Sequence, residues 1–512
     1  LARRKDNSAG MGLAQMGEDG GMAESAFEKL VEHARSEHVV VVGAGIAGLV
    51  AALECAKVGL QVTLVEASER LGGAIARAEV AGIAVDLGAT GWATRNGAVD
   101  PLVAELGLGD EVVEPANADV WVAVSGGVQP YPEQTVAGIP ANPWDPMVRR
   151  VIGWAGTWRA YLDRLRPPLT IGKERNLGTL VRRRMGGQIL GRLVAPLMRG
   201  RYGLVPDAVD VGLIAPGLSS ALTRTGSLAA AAGELLAVAD DESGVPPIRG
   251  LVGGPTRLVD ALIARLGDYG ASVITGARVS QLTSSGGSWT VTLDTVDETQ
   301  TLAADAVIVA TEAADATRLV PFSVPELLTR ELVQDVVTLV ASAPAPEEQH
   351  TTVFTLNPAT EPVVASDETA RWTGTVTGVR VARLTYGDLE TAPPTAALSD
   401  DDVFVKAARE AEALLGLPAD AVVEARRDRW VQPPAAVMRG RDEAAQTLRE
   451  RVGKVRGLGL VGAWVSGPGL ARVVAHAREE AERLRVNLLW GTHADGVTLG
   501  EDHPLDKREE TP

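Results

Sequence analysis

At 512 residues the chain exceeds what one hydrophobic core usually organises, and 46% hydrophobic with 22% charged residues is the composition of a folded, multi-part protein. A formal net charge of −17 repels phosphate backbones and argues against nucleic acid as a partner. The single cysteine, Cys55, excludes an internal disulfide and, with no signal peptide in view, fits a reducing cytoplasm. The scattered histidines lack metal-ligand spacing, so no metal is expected.

In chain order, residues 1–37 read as a flexible tail with a short helix around Ala26 to Ala34. His38 to Val42 is a β-branched run, Ile46 to Lys57 has helical spacing, and Gln61 to Val65 is a second β-rich run, which makes a βαβ unit. The apolar run Val39 to Leu53 stops at Glu54, short of the roughly 18 residues that a membrane span needs. Composition still leaves room for a weak peripheral membrane contact through an apolar surface patch. A helix-leaning region follows from about Val99 to Leu236, with Pro and Trp interspersed. After Gly253-Gly254 come a helix (Thr256 to Leu266) and short strands at Ser272 to Ile274, Arg278 to Leu282, Trp289 to Leu293 and Ala306 to Ala310. Residues from Pro321 to Trp430 mix strands and helices, Gly457 to Val486 returns to strand, glycine loop and helix, and 491–512 reads as a second tail.

The stretch that carries chemistry is Gly43-Ala44-Gly45-Ile46-Ala47-Gly48, a G-x-G-x-x-G placed directly after a strand and opening a helix. Gly43 permits the tight turn, Gly45 lets backbone approach a pyrophosphate, and Gly48 lets helix and strand pack closely. Glu66, followed by Ala67, ends the second strand about twenty residues on, where a carboxylate takes a ribose diol and repels a 2′-phosphate. This fingerprint alone suits NAD or FAD. Arg70-Leu-Gly-Gly73 follows at once; the pair Gly72-Gly73 permits close approach to a second part of the same cofactor, or serves only a turn, and Arg70 suits a phosphate or an internal partner.

Here the sequence resembles the flavoprotein family of amine oxidases, phytoene desaturases and protoporphyrinogen oxidases. Val41-Val-Gly-Ala-Gly-Ile-Ala-Gly-Leu49, Glu66, Arg70-Leu-Gly-Gly73 and Val85-Asp-Leu-Gly88 look like its N-terminal FAD signatures. Leu180-Val-Arg-Arg-Arg-Met-Gly186, Leu193-Val-Ala-Pro-Leu197, Tyr202-Gly203, Gly253-Gly-Pro-Thr-Arg-Leu-Val259, Gly276-Ala-Arg-Val279 and Gly462-Ala-Trp-Val-Ser-Gly-Pro-Gly-Leu470 are similar to segments of its oxygen-dependent protoporphyrinogen and coproporphyrinogen III oxidases. The resemblance runs from about His38 to Val486. It implies an α/β fold: a Rossmann-like FAD-binding domain of the amine oxidase type (38–98, 250–320 and 455–490), with a helical substrate-binding region (99–249) and a mixed α/β one (321–454). It further implies that Val279 meets the adenine through its backbone, that Gly88, Ala89, Thr90 and Gly91 lie beside the flavin ring with Trp430 near it, and that Gly462, Gly469 and Leu470 close over it. The chain departs from the family pattern at Ala76, Ala89, Ala463 and Ala471.

What the resemblance implies for function is oxidation of a tetrapyrrole porphyrinogen in heme biosynthesis, with molecular oxygen as acceptor and H2O2 as product. The flavin is the redox agent, and no catalytic side chain is named. An Arg-rich, Lys-poor composition fits the high-GC group whose resembling enzymes act on coproporphyrinogen III. Protoporphyrinogen IX oxidase, another amine oxidase or desaturase, and a flavin-binding protein without turnover stay open. Arg182, Arg183, Arg184, Arg199 and Arg201 are either substrate anchors or a solvated helix face, and His476 reads as structural. Nothing in the sequence sets the oligomeric state.

Overall fold

The computed structural model describes residues 32–94, 97–116, 119–125, 127–166, 174–238, 248–344, 350–372 and 378–491. The expected tails therefore fall largely outside the described residues. Their described ends are not loose: Ala34 is buried, and His33 Nε2 lies 3.2 Å from Leu488 O.

A parallel sheet organises one part of the molecule. It contains β1 (His38–Val42), β2 (Gln61–Val65), β3 (Ser272–Ile274), β4 (Ala306–Val309) and β5 (Leu458–Leu460), in the spatial order β3-β2-β1-β4-β5. Apart from the edge strand β3, whose residues are exposed or half-buried, these short apolar runs are nearly all buried, as strands covered on both faces must be. Between β1 and β2 runs helix α1 (Ile46–Ala56), in which everything after Ile46 is buried. An all-round apolar helix needs cover on every side. The sheet supplies one side and the C-terminal helix Leu470–Trp490 another, the two helices being pinned by Arg478 Nε donating to Glu54 Oε1 at 2.9 Å.

A second sheet has seven strands in the order Val422–Gln432, Leu332–Ala341, Arg380–Tyr386, Val364–Asp367, Thr352–Phe354, Val120–Val124 and Gly127–Pro130. All neighbours are antiparallel except Thr352–Phe354 with Val120–Val124. Helix Asp400–Leu415 covers one face through Val403, Ala407, Ala411 and Leu415, each four residues from the next. The hairpin Arg77–Val80 and Ile83–Asp86 packs on it from elsewhere, with Val340 and Trp430.

Most of the described residues between 146 and 238 are helical as the sequence suggests, but the helix-leaning reading fails between 112 and 140, where the described residues form five short strands. Val120-Trp-Val-Ala-Val124 is rich in β-branched and aromatic residues, and its pairing partner Thr352–Phe354 lies more than two hundred residues away, so local periodicity could not reveal it.

Candidate cofactor site

The glycine-rich turn sits at the carboxyl ends of the parallel strands, where open α/β sheets bind their ligands. Gly43 N donates to Val65 O at 2.7 Å, which ties the turn to β2. Gly43 adopts φ +102°, and a Cβ there would lie 2.9 Å from Ala310 O. At Gly48 a Cβ would stand 1.9 Å from Gly43 O, a flat prohibition. Gly45 differs: a Cβ there meets nothing nearer than Gly73 Cα at 4.0 Å, so this glycine leaves room for something outside the chain. Gly45 is also the N-cap of α1 and brings no capping side chain, so the first-turn amides are free to face an anion.

The second glycine pair locks onto the first. Gly72 N donates to Ala44 O at 2.9 Å, and Gly45 and Gly72 form an isolated parallel bridge. Gly73, at φ +57°, would place a Cβ 3.0 Å from Gly45 Cα. Arg70 takes the internal of its two expected roles, with its guanidinium donating to Gly73 O at 2.8 Å and Ile75 O at 3.0 Å to hold the loop. Glu66 Oε2 accepts from Ala44 N at 2.7 Å, while Oε1 accepts from Ser68 N and Oγ. Its carboxylate therefore lies against the glycine turn. Ala67 is exposed beside it.

The adenine-side expectation at Val279 has a backbone route: Ala277 N donates to Glu66 O at 3.0 Å and Gly276 N to Ser68 O at 3.2 Å. The Val279 side chain is buried with Val65 and Leu293, leaving only its main chain, next to a bulge, for a ligand.

The loop Gly88, Ala89, Thr90 and Gly91 is pressed from behind. A Cβ at Gly88 would meet Ala74 O at 1.9 Å, and one at Gly91 would meet Arg249 O at 2.5 Å and Trp372 at 3.0 Å. Ala89 belongs to the apolar cluster of Ile46, Leu470 and Ala471, which joins this loop to α1 and the C-terminal helix. Gly462 (φ +128°) lies with Trp464, whose Nε1 donates to Thr311 O at 2.9 Å. Gly469 (φ +108°) faces open space, whereas the Leu470 side chain is buried in the cluster. The expected flavin neighbour Trp430 lies on strand Val422–Gln432 against the cluster of Ala76 and Leu87, the residue before Gly88, its Nε1 buried without a hydrogen-bond partner among the described residues.

Several residues escaped the sequence reading. Ala310 and Thr311 end β4 beside Gly43 and Gly462; the rule that ligands sit at the carboxyl ends of parallel strands could have flagged them. Arg383 donates to Leu87 O at 2.7 Å and Gly88 O at 3.1 Å, and Arg441, buried without a carboxylate partner, donates to Ala463 O and Trp464 O. These have no sequence signal. Asp86, part of the Val85-Asp-Leu-Gly88 signature, is a different case: burial pushes its carboxyl up to about 6, against the pull of Arg77 and Arg383, with Glu368 reinforcing the rise.

The arginine run is spent mostly inside the protein. Arg184 is buried on Asp163 at 2.6 Å, Arg182 pairs with Asp207 at 2.8 Å, and Arg199 lies 3.1 Å from Asp388. His476 is buried on the C-terminal helix, as a structural residue would be. Among the described residues, no group of acidic, His and Cys side chains could hold a metal, and no helix is long and apolar enough to cross a membrane.

Residues 46–485 match the family model described as flavin containing amine oxidoreductase. The chain belongs to that family. Among curated relatives, the coproporphyrinogen III oxidase of Mycobacterium tuberculosis H37Rv is 29% identical over 451 residues, covering 85% of this chain and 95% of the relative. The Mycobacterium leprae protein of that name is 27% identical, over 88% of this chain and 99% of its own. Among solved structures, one named for a protoporphyrinogen oxidase of Exiguobacterium sp. 255-15 superposes with a TM-score of 0.77 at 22% identity, covering 88% of this chain and 99% of that one. A putrescine oxidase variant gives a TM-score of 0.61 at 17% identity, over 89% and 99%. At such identities the structural likeness speaks for the fold. This member of the flavin family is an FAD-dependent oxidoreductase, and the glycine turn, closed to a Cβ at Gly43 and Gly48, with open space at Gly45 and Gly469, fits an extended dinucleotide.

Proposed function

We propose that this oxidoreductase converts coproporphyrinogen III to coproporphyrin III in heme biosynthesis, with O2 as acceptor and H2O2 as product. The observation that carries the reading is the near full-length likeness to coproporphyrinogen III oxidases, which spans both sheets and the helices between them. Bound FAD supplies the two-electron acceptor, and the protein's part is position and environment.

In this reading the amides opening α1 face the pyrophosphate across Gly43, Ala44, Gly45, Ile46, Ala47 and Gly48. Glu66 exchanges the Ala44 amide for the ribose hydroxyls, with Ala67 alongside. Arg70 stiffens the loop that sets Gly72 and Gly73. Val279 meets the adenine by its main chain. Gly88, Ala89, Thr90 and Gly91 form the ring-side wall, held by Arg383, with Trp430 behind it, and Gly462, Gly469 and Leu470 close the far side. Of the arginine run, Arg182, Arg184 and Arg199 are committed to aspartates and Arg183 lies 3.9 Å from Glu174, which leaves Arg201 as the better candidate for a porphyrinogen carboxylate.

The test is anaerobic addition of coproporphyrinogen III, protoporphyrinogen IX and a primary amine to the purified yellow protein, followed by air. Bleaching of the flavin band by coproporphyrinogen III, with porphyrin fluorescence above the autoxidation control, is the expected result. Bleaching by protoporphyrinogen IX or the amine alone reassigns the substrate. A yellow protein that none of them bleaches is a flavin binder without turnover.

A further inference from the structure

Three arginines are buried among the described residues, and one of them differs in kind. Arg184 sits on Asp163 at 2.6 Å and Arg380 on Asp367 at 2.7 Å. Arg441, the first residue of helix Arg441–Val452, is 2% exposed and has no carboxylate partner among the described residues. Its Nη2 donates to Trp464 O at 2.6 Å and Ala463 O at 3.1 Å, and its Nη1 is buried with no partner among those residues. Burial pulls its guanidinium down to about 10, with no carboxylate opposing the fall, so it stays charged at neutral pH.

Its place is fixed from two directions. The segment leading into it is tied to the helical region, Asp210 N donating to Val437 O at 2.9 Å and Arg439 N to Ala208 O at 2.8 Å. On the other side stands the turn Gly462–Gly467, closed on itself by Gly467 N donating to Ala463 O at 2.8 Å and pressed so close to Ala436 that a Cβ on Gly467 would lie 2.5 Å away. From Arg441 the contacts continue toward the glycine fingerprint. Trp464 Nε1 donates to Thr311 O at 2.9 Å, and Thr311 N would lie 3.2 Å from a Cβ on Gly43.

A buried cation without an anion is costly, and the two carbonyl dipoles offset only part of that cost. The cofactor presents the reverse deficit. Its diphosphate is negative, the glycine turn offers it only neutral amides, Glu66 adds a further negative charge beside that turn, and the exposed Arg70 is spent on Gly73 O and Ile75 O. We propose that Arg441 is a positioning residue that supplies the buried counter-charge for the FAD diphosphate, acting through the Gly462–Gly467 turn. Coulombic attraction in a dry interior reaches beyond direct contact, so the guanidinium works from behind the turn while its hydrogen bonds fix the turn's carbonyls. The inference rests on the reading that Gly462, Gly469 and Leu470 close over the FAD.

The experiment compares flavin-loaded parent protein with Arg441→Gln and Arg441→Lys, reading the FAD dissociation constant by ultrafiltration of diluted holoprotein between pH 7 and pH 9. Arg441→Gln keeps an amide donor but no charge, and is expected to raise the constant about tenfold. Arg441→Lys keeps the charge and should bind as the parent does at pH 7. A buried ammonium gives up its proton more readily than a guanidinium, so the lysine variant should then lose FAD as pH rises while the parent does not. That pH profile decides the matter by itself if the glutamine variant does not fold. A lysine profile as flat as the parent's, or a glutamine variant that holds FAD as the parent does, overturns the proposal and leaves Arg441 a cap on two carbonyls. Gly469→Ala, which forces a side chain onto a φ of +108°, separates the two readings. Loss of FAD there but not in Arg441→Gln sinks the charge assignment alone, whereas no loss in either shows that the turn does not close over the FAD.

Discussion

The parallel sheet and the seven-stranded sheet are held together by different forces. Around β1, α1 and β2 the contacts are almost entirely apolar, with the polar groups of the site confined to the strand ends. The seven-stranded sheet has buried ions at its heart instead. Fully buried Asp335 accepts from Arg429 Nε at 2.8 Å, Arg427 Nη2 at 2.7 Å and Thr395 Oγ1 at 2.7 Å. Arg380 is buried on Asp367 at 2.7 Å. An apolar core tolerates modest changes of side-chain shape, whereas a buried ion depends on every partner. The first region should therefore fail through backbone clashes and the second through lost charges.

The largest effect is expected from Gly48→Ala, whose methyl group would overlap Gly43 O; soluble expression and flavin content are the readouts, and little flavin-loaded protein should be recovered. Asp335→Ala comes next. It takes the buried carboxylate from Arg427 and Arg429, leaving Arg427 as carboxylate partner only the exposed Asp400 at 3.3 Å, and costs about 3 kcal/mol in urea denaturation. Asp335 is held below the ordinary carboxylate range by hydrogen bonds from Arg429, Thr395 and Arg427, which outweigh the upward push of its burial. Its contribution is present above the unfolded pKa and is lost as pH falls.

Gly45→Ala sharpens the contrast in the opposite direction. Its Cβ has room, so the melting temperature of flavin-free protein should hold, while FAD affinity drops about tenfold, or about 1.4 kcal/mol, by titration. An equal loss of folding and binding would show that Gly45 serves the fold alone.

A pH dependence of similar size completes the comparison. Burial pushes His476 down to about 4, with Arg449 adding to the shift and Glu480 opposing it. A histidine kept neutral stabilises the fold fully above its unfolded value of 6.5, and that stability is lost as pH falls toward 4. At pH 5 the loss is about 2 kcal/mol. Thermal melts at pH 7 and pH 5 should therefore differ less for His476→Gln than for the parent.

Legibility followed the same divide. The strands His38–Val42 and Gln61–Val65 were readable to the residue, because their signals are local: β-branched runs, a glycine spacing and an acid in register. Glu66 accepts from Ala44 N and Gly72 N donates to Ala44 O, contacts within the same short span. Arg70 left two roles open, and only the carbonyls of Gly73 and Ile75 chose between them. Trp430 was carried over by position alone, and only the tertiary structure brings it against the hairpin and Leu87 beside the Gly88 loop. Arg441 was visible only as one arginine among many, since burial is not a property of spacing.

By itself the sequence determined the nucleotide-binding βαβ unit, its glycines and its acid, because each depends on neighbours within about thirty residues. Tertiary structure alone decided the order of the seven strands, the burial of Asp335 and Arg184, the support of Gly88 by Arg383, and the burial of Arg441. Each of these joins, or fails to join, residues far apart in the chain. Such contacts are selected by packing across the whole fold, and no local pattern encodes them.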